Sequence, residues 1–77
     1  MEDVAVVTIY THPDCDASAQ LKLDYKRQGI SFKEIDVTQV PGALKDLERL
    51  TDGEHLTPVI LEGNEVIVGY GGVGCAF

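Results

Sequence analysis

The sequence predicts an α/β domain: a mixed four-stranded sheet with helices on both faces, in the order β-α-β-α-β-β. Three observations lead there. Val4 to Tyr10 (VAVVTIY) is rich in β-branched residues and almost continuously apolar, as a central strand covered on both sides should be. Two helical patterns follow it with a second strand pattern between them. Lastly, Val59-Ile60-Leu61 and Val66-Ile67-Val68 flank Glu62-Gly63-Asn64-Glu65, the pattern of a tight antiparallel hairpin.

Thr11-His12-Pro13-Asp14 ends the first strand. Cys15 to Gln28 carries Ala17, Leu21 and Tyr25 at i, i+4 and i+8, with Lys22, Lys26 and Arg27 elsewhere, and Gly29 supplies the stop. Ile30 to Val37 sets Phe32 against Lys33 and Asp36 and reads as a second strand, parallel to the first through a right-handed crossover. Pro41 opens a second helix, where the ring is tolerated in the first turn, and Leu44, Leu47 and Leu50 are its expected apolar stripe. Asp52-Gly53 ends it. After the hairpin come Gly69, Gly71, Gly72 and Gly74, with Tyr70 among them.

The composition fixes the class. At 77 residues, 44% hydrophobic and 25% charged, the chain is one globular domain spanning 1–77 with a thin core. Six basic against thirteen acidic residues give a net charge of −7. That balance argues against nucleic acid and against an anionic membrane surface as partners. No apolar run approaches a membrane span, and no basic-apolar-small leader opens the chain, so a cytoplasmic location is expected. Cys15, Cys75, His12 and His55 show neither C-x-x-C nor H-x-x-x-H spacing, so no bound metal is expected.

Cys15 stands where a strand-ending loop meets a helix. Free N–H groups and the helix dipole favour a thiolate there by typically ~0.3–1 kcal/mol. The thiolate is the attacking species in disulfide exchange. A buried structural cysteine is the competing reading; Asp14 and Asp16 on either side speak for an accessible, reactive one. The same two carboxylates oppose ionisation with roughly the dipole's magnitude, within ~1 kcal/mol each. A thiol less acidic than such a placement usually gives is therefore expected.

Three ordered motifs carry a resemblance. Thr11 to Ser18 (T-H-P-D-C-D-A-S) is similar to K-P-x-C-x-x-C, Thr57-Pro58 to T-V-P, and Gly71-Gly72 to a glycine pair after the last hairpin strand. From residue 4 to residue 74 the chain resembles a small glutaredoxin of the thioredoxin superfamily. The resemblance implies a thioredoxin-like fold with the final helix short or absent. Cys15 matches the nucleophile and Ser18 the position of a second cysteine, giving a single-cysteine C-x-x-S site. Pro58 matches a cis-proline beside the nucleophile, leaving the Thr57 backbone to pair with an extended thiol peptide such as glutathione. His12 and Pro13 precede the nucleophile, with His12 in place of the family's lysine. A basic partner for glutathione would then come from Lys45 or Arg49. Val73 and Gly74 stand where the family holds the glutathione amino group. Cys75, three positions past Gly72, is either a resolving thiol for Cys15 or a thiol without a role.

The implied function is a thiol–disulfide oxidoreductase. It would reduce disulfides or glutathione mixed disulfides by a monothiol route or with Cys75 resolving. Glutathione as co-substrate, a thioredoxin-reductase-like enzyme and a disulfide-bearing client protein are the expected partners. Apolar surface left by a missing final helix makes a homodimer a further expectation. The alternatives are a glutathione-dependent iron–sulfur or metal carrier, and a catalytically weak interaction module.

Overall fold

The computed structural model describes residues 7–77. Strand β1 (Val7–Thr11) leads into helix α1 (Asp16–Arg27), strand β2 (Phe32–Asp36) and helix α2 (Ala43–Leu50). Strands β3 (Leu56–Thr57), β4 (Val59–Glu62), β5 (Glu65–Val68) and β6 (Cys75–Ala76) follow. The main sheet has the order β2-β1-β4-β5; β1 pairs parallel with β2 and antiparallel with β4, and β4–β5 is an antiparallel hairpin. This is the mixed four-stranded sheet the sequence predicts, with Gly63 at the hairpin turn in the left-handed region (φ +60°).

The helices cover opposite faces. Leu21 of α1 packs with Val7, Ile9 and Ile60, with Tyr25 and Phe32 alongside. Ala43 and Leu47 of α2 pack with Tyr10, Val37 and Val59. Alternate β1 residues thus feed alternate cores, which is why the strand reads as a continuous apolar run. Ile9, Leu21, Leu47 and Val59 are fully buried, each contributing roughly 1.5–3 kcal/mol.

The expected boundaries shift in places. Residues 4–6 of the first predicted strand lie outside the described residues. Thr11 belongs to β1 rather than to the loop, because it pairs in register with Asp36. α2 opens at Ala43 after Gly42, whose φ of +82° makes the cap; Pro41 lies in the turn before it. The apolar stripe of α2 runs through Ala43, Leu47 and Leu50, while Leu44 points outward at 37% exposure. Residues 43, 47 and 50 follow the i, i+4, i+7 spacing that keeps one face on the sheet, and 44 falls beside it.

Two short strands are absent from the expected order. β3 and β6 form a separate antiparallel ribbon, with Leu56 opposite Ala76 and Thr57 opposite Cys75. A turn returns the chain from β5 to this ribbon. Tyr70 and Val73 exchange both backbone hydrogen bonds, and Gly71 and Gly72 between them take φ of +62° and +80°. Gly69 also needs to be glycine: at φ +91°, a Cβ would approach the Val73 carbonyl oxygen to 3.1 Å. β5 is exposed along its length and leaves Val66, Ile67 and Val68 on the edge of the main sheet.

Candidate active site

The site forms where β1, α1 and the β3–β6 ribbon meet. Cys15 is the N-cap of α1; its backbone is extended, and its Sγ accepts the Ser18 N–H at 3.4 Å. The sulfur thereby takes the role usually filled by a hydroxyl or carboxylate oxygen, satisfying one of the free donors of the first turn. The Thr57 carbonyl oxygen lies 3.5 Å from the same Sγ. A disulfide sulfur has no proton to donate, so this becomes a hydrogen bond only when Cys15 is a thiol. The Thr57–Pro58 peptide is cis, as the resemblance implies, and both residues are buried.

Cys15 and Cys75 form a disulfide, with Cα atoms 5.7 Å apart across a sequence separation of 60 residues. Two expectations are corrected here. The C-x-x-S tetrad does not make this a site with one sulfur, because β6 brings in the second from outside the tetrad. Nor is the Cys15 sulfur presented to solvent: the residue is 2% exposed. Asp14 and Asp16 are themselves exposed, but the Cys15 side chain turns inward, beneath Cys75 and against Thr57. Cys75 is the more accessible of the pair.

Ser18 fills the tetrad's last position without redox capacity. Its Oγ and Thr57 Oγ1 are both buried, and neither has a hydrogen-bond partner among the described residues. Pro13 is exposed in the loop before Cys15. His12 Nδ1 accepts the Asp14 N–H at 3.1 Å, which places the proton of a neutral ring on Nε2. Lys45 is exposed on α2 and joins none of the site's contacts. Arg49 is held by Asp46 and lines a cleft with Tyr10, Leu50 and Leu61. Both residues expected as a basic partner thus stand exposed on α2, and neither takes part in the hydrogen bonds or the disulfide at Cys15. Gly71 and Gly72 act through the turn that delivers Cys75, and Val73 is exposed.

Sequence reading missed an aromatic cluster. The Phe77 N–H donates to the His55 carbonyl at 3.1 Å, extending the β3–β6 pairing by one position. The Phe77 ring lies 4.6 Å from His12 and stacks on His55 at 5.2 Å with a 20° interplanar angle. His55 Nε2 is 2.7 Å from Glu48 Oε2. The available signal was the spacing of two: His55 precedes Thr57 and Phe77 follows Cys75 by two positions, so each pair shares one face of a strand. A second missed contact anchors the loop: the Tyr70 hydroxyl donates to Asp24 Oδ2 of α1 at 2.7 Å. That bond, with one from Gln20, holds the Asp24 carboxyl below its usual range, and it pushes the Tyr70 phenol up.

This fold and this cysteine–cis-proline arrangement define a thioredoxin-superfamily domain. The family model for glutaredoxin matches residues 7–67, and the chain belongs to the glutaredoxin family. Among solved structures, the glutaredoxin-like protein NrdH-redoxin from Escherichia coli is 31% identical. Its TM-score is 0.72, and the alignment covers 83% of this chain and 82% of that one. Glutaredoxin grx-1 from Archaeoglobus fulgidus superposes with TM-score 0.72 at 21% identity, covering 86% and 76%. Glutaredoxin from Brucella melitensis gives 0.66 at 29%, covering 84% and 70%. No curated protein sequence matches significantly. Among the described residues, no group of three or more His, Cys, Asp or Glu side chains is placed to hold a metal, and no helix is long and apolar enough to cross a membrane.

Proposed function

We propose that this chain is a dithiol oxidoreductase whose redox couple is Cys15–Cys75, reduced by a dithiol-bearing, thioredoxin-reductase-like enzyme rather than by glutathione. The observation that carries the reading is the disulfide itself, formed at the N-terminus of α1 beside the cis-proline.

The steps follow from access and leaving-group stability. A reductant thiolate attacks Cys75 Sγ, on the more exposed residue of the pair, and Cys15 leaves as a thiolate stabilised by the Ser18 N–H and the helix dipole. A second reductant thiolate releases Cys75, which takes up a proton, and the reductant departs as a disulfide. The Cys15 thiolate then attacks a client disulfide, expelling one client sulfur as a thiolate that is protonated. Cys75 attacks Cys15 Sγ of the mixed disulfide, the second client thiol leaves, and the internal bond re-forms. Two electrons and two protons pass from reductant to client in each cycle.

Three features favour a reductase over glutathione. His12, an imidazole whose Nδ1 is engaged by the Asp14 N–H, stands where the family's lysine would sit. Lys45 and Arg49 stand exposed on α2, with Arg49 held by Asp46, and in the oxidised chain β6 fills the strand position at Thr57. The E. coli relative is described as having a thioredoxin-like activity profile, which agrees. The acidic surface suits a basic reductase face and makes that encounter salt-sensitive. The proposed location is the cytoplasm, where such reductants are maintained. A second copy docked along β5 is the proposed use of exposed Val66, Ile67 and Val68, and sedimentation over a concentration series tests it.

The deciding experiment follows NADPH oxidation with a thioredoxin-reductase system or with glutathione and its reductase, using a small aromatic disulfide as acceptor. Turnover is expected with the former and is lost in Cys15→Ser and Cys75→Ser. Full turnover by Cys75→Ser would refute the dithiol route, and a preference for glutathione would refute the proposed reductant.

A further inference from the structure

β6 does more than deliver a sulfur: it lies on the backbone of β3 as a bound peptide would. Cys75 is opposite Thr57, Ala76 opposite Leu56, and Phe77 bonds to His55. In an antiparallel pair, residues two apart share a face. Cys75 and Phe77 therefore both face the loop that carries His12 and Cys15. The sulfur meets Cys15, and the ring lies against His12 and His55. Ala76, on the other face, is small and exposed. Beyond it, an open cleft of about 470 Å³ runs along Glu54, His55 and Leu56, with Ala76 and Phe77 at its edge.

We propose that the client is an extended cysteine-bearing polypeptide with an aromatic residue two positions after its cysteine. It is taken up as an antiparallel strand on Thr57 and Leu56 in place of β6, with its aromatic ring between His12 and His55. The inference rests on the oxidoreductase reading and names the substrate class of that site. β6 establishes the register, because a cysteine opposite Thr57 puts its sulfur on Cys15, and the residue two further on then meets the two imidazoles. Only one strand can occupy this edge of β3, so β6 and the client exclude each other. The client enters when Cys75 is released from Cys15. The return of β6 during resolution expels the reduced client. The residue between cysteine and aromatic faces outward and is free to vary, and the cleft beside His55 accommodates the residues that follow.

The test uses the fully reduced chain and the peptides Gly-Cys-Ala-Phe, Gly-Cys-Ala-Leu and Gly-Cys-Ala-Ala. Each is supplied as its mixed disulfide with thionitrobenzoate. Attack on the peptide sulfur releases the better leaving group, which is coloured, so the second-order rate constant is read directly. The Phe peptide is expected to react about three- to tenfold faster than the Ala peptide, the range of an aromatic stacking contact. His55→Ala and His12→Ala should each bring that ratio toward one. Phe77→Ala should raise the rate with the Phe peptide, a gain that mere damage to the fold would not give. Equal rates for Phe and Leu, or for all three peptides, would overturn the inference if the symmetric thionitrobenzoate disulfide still reacts at Cys15. Failure of that peptide-free disulfide to react would instead overturn the oxidoreductase reading.

Discussion

Reducing the Cys15–Cys75 bond should destabilise the fold by an amount set by the loop it closes. The two residues are 60 positions apart in a chain of 77, so the bond constrains most of the unfolded chain. The loop-entropy relation gives about −14 cal/mol/K for that span, about 4 kcal/mol at 25 °C, against typical measured values of ~2–4 kcal/mol. For a domain this small, that is a large share of a total in the range of ~5–15 kcal/mol. With a urea slope of roughly 1 kcal/mol/M at this size, the midpoint should fall by about 2–4 M on reduction. By the same linkage, folding lowers the reduction potential of the pair by up to about 90 mV relative to the unfolded chain, at about 30 mV per 1.4 kcal/mol. The assay is urea unfolding followed by far-ultraviolet circular dichroism, for the oxidised chain, the reduced chain and Cys75→Ser. The reduced chain and the variant should coincide, both well below the oxidised form. Coincidence of all three curves would refute the reasoning, since no loop of this length would then be closed in the folded protein.

Two further outcomes follow from contacts that support the site. Tyr70→Phe removes the bond to Asp24 that ties the β5–β6 turn to α1. It should leave the main sheet intact while speeding reduction of the disulfide several-fold, measured by stopped-flow with a dithiol. Because the Tyr70 phenol is raised by its bond to Asp24, the ratio of the Tyr70→Phe rate to the wild-type rate, in which the reductant's own ionisation cancels, should narrow only at high pH. Glu34 gives the acid-side counterpart. Burial pushes its carboxyl up, but the Lys22 ammonium and the Thr11 hydroxyl outweigh this and hold it below the usual range. A depressed folded value contributes stability above the unfolded value, near 4.3. That stability is lost as pH falls through the folded one. Thermal melts of wild type should therefore decline through that acid window, and Glu34→Gln should flatten the decline, by well under 1 kcal/mol because the pair is partly exposed.

The layers of the fold were legible because they rest on periodicity. A strand covered on both faces leaves a continuous apolar run, as Val7, Ile9 and Tyr10 show by feeding opposite cores. The i, i+4, i+8 pattern of Ala17, Leu21 and Tyr25 likewise marks the buried face of α1. Leu44 misled because it lies about 100° round the helix from Ala43, so it falls at the side of the buried stripe of Ala43, Leu47 and Leu50 rather than in it. The sulfur at the strand–helix junction, the cis bond at Pro58 and the glycine turn were legible through the resemblance. The cover over Cys15 was not. β3 and β6 are two residues each, too short for any alternation to show, and their pairs join positions 18 and 20 residues apart, across the whole hairpin. The accessibility of Cys15 was misjudged for the same reason: the flanking Asp14 and Asp16 report the solvent side of the loop, while the cover arrives from a strand without a local signature.

That cover must also come off, and its energetics show what holds it. With the disulfide open, residues 74–77 are kept in place by a few backbone hydrogen bonds to β3 and by the contacts of Phe77 with two imidazoles. Hydrogen bonds contribute about 0.5–1.5 kcal/mol each net, and the aromatic contacts about 0.5–1.5 kcal/mol each. Ordering four residues costs about 1–2 kcal/mol apiece in backbone entropy alone. The two sides nearly cancel, so the covalent bond decides whether β6 stays. The oxidised chain should hold the Phe77 amide, bonded to the His55 carbonyl, protected from hydrogen exchange. The reduced chain should release it to near the unprotected rate, while the Ile9 amide in β1 stays protected in both. Equal protection of Phe77 in the two states would mean that noncovalent contacts alone keep β6 on β3, leaving a client strand no vacancy at Thr57.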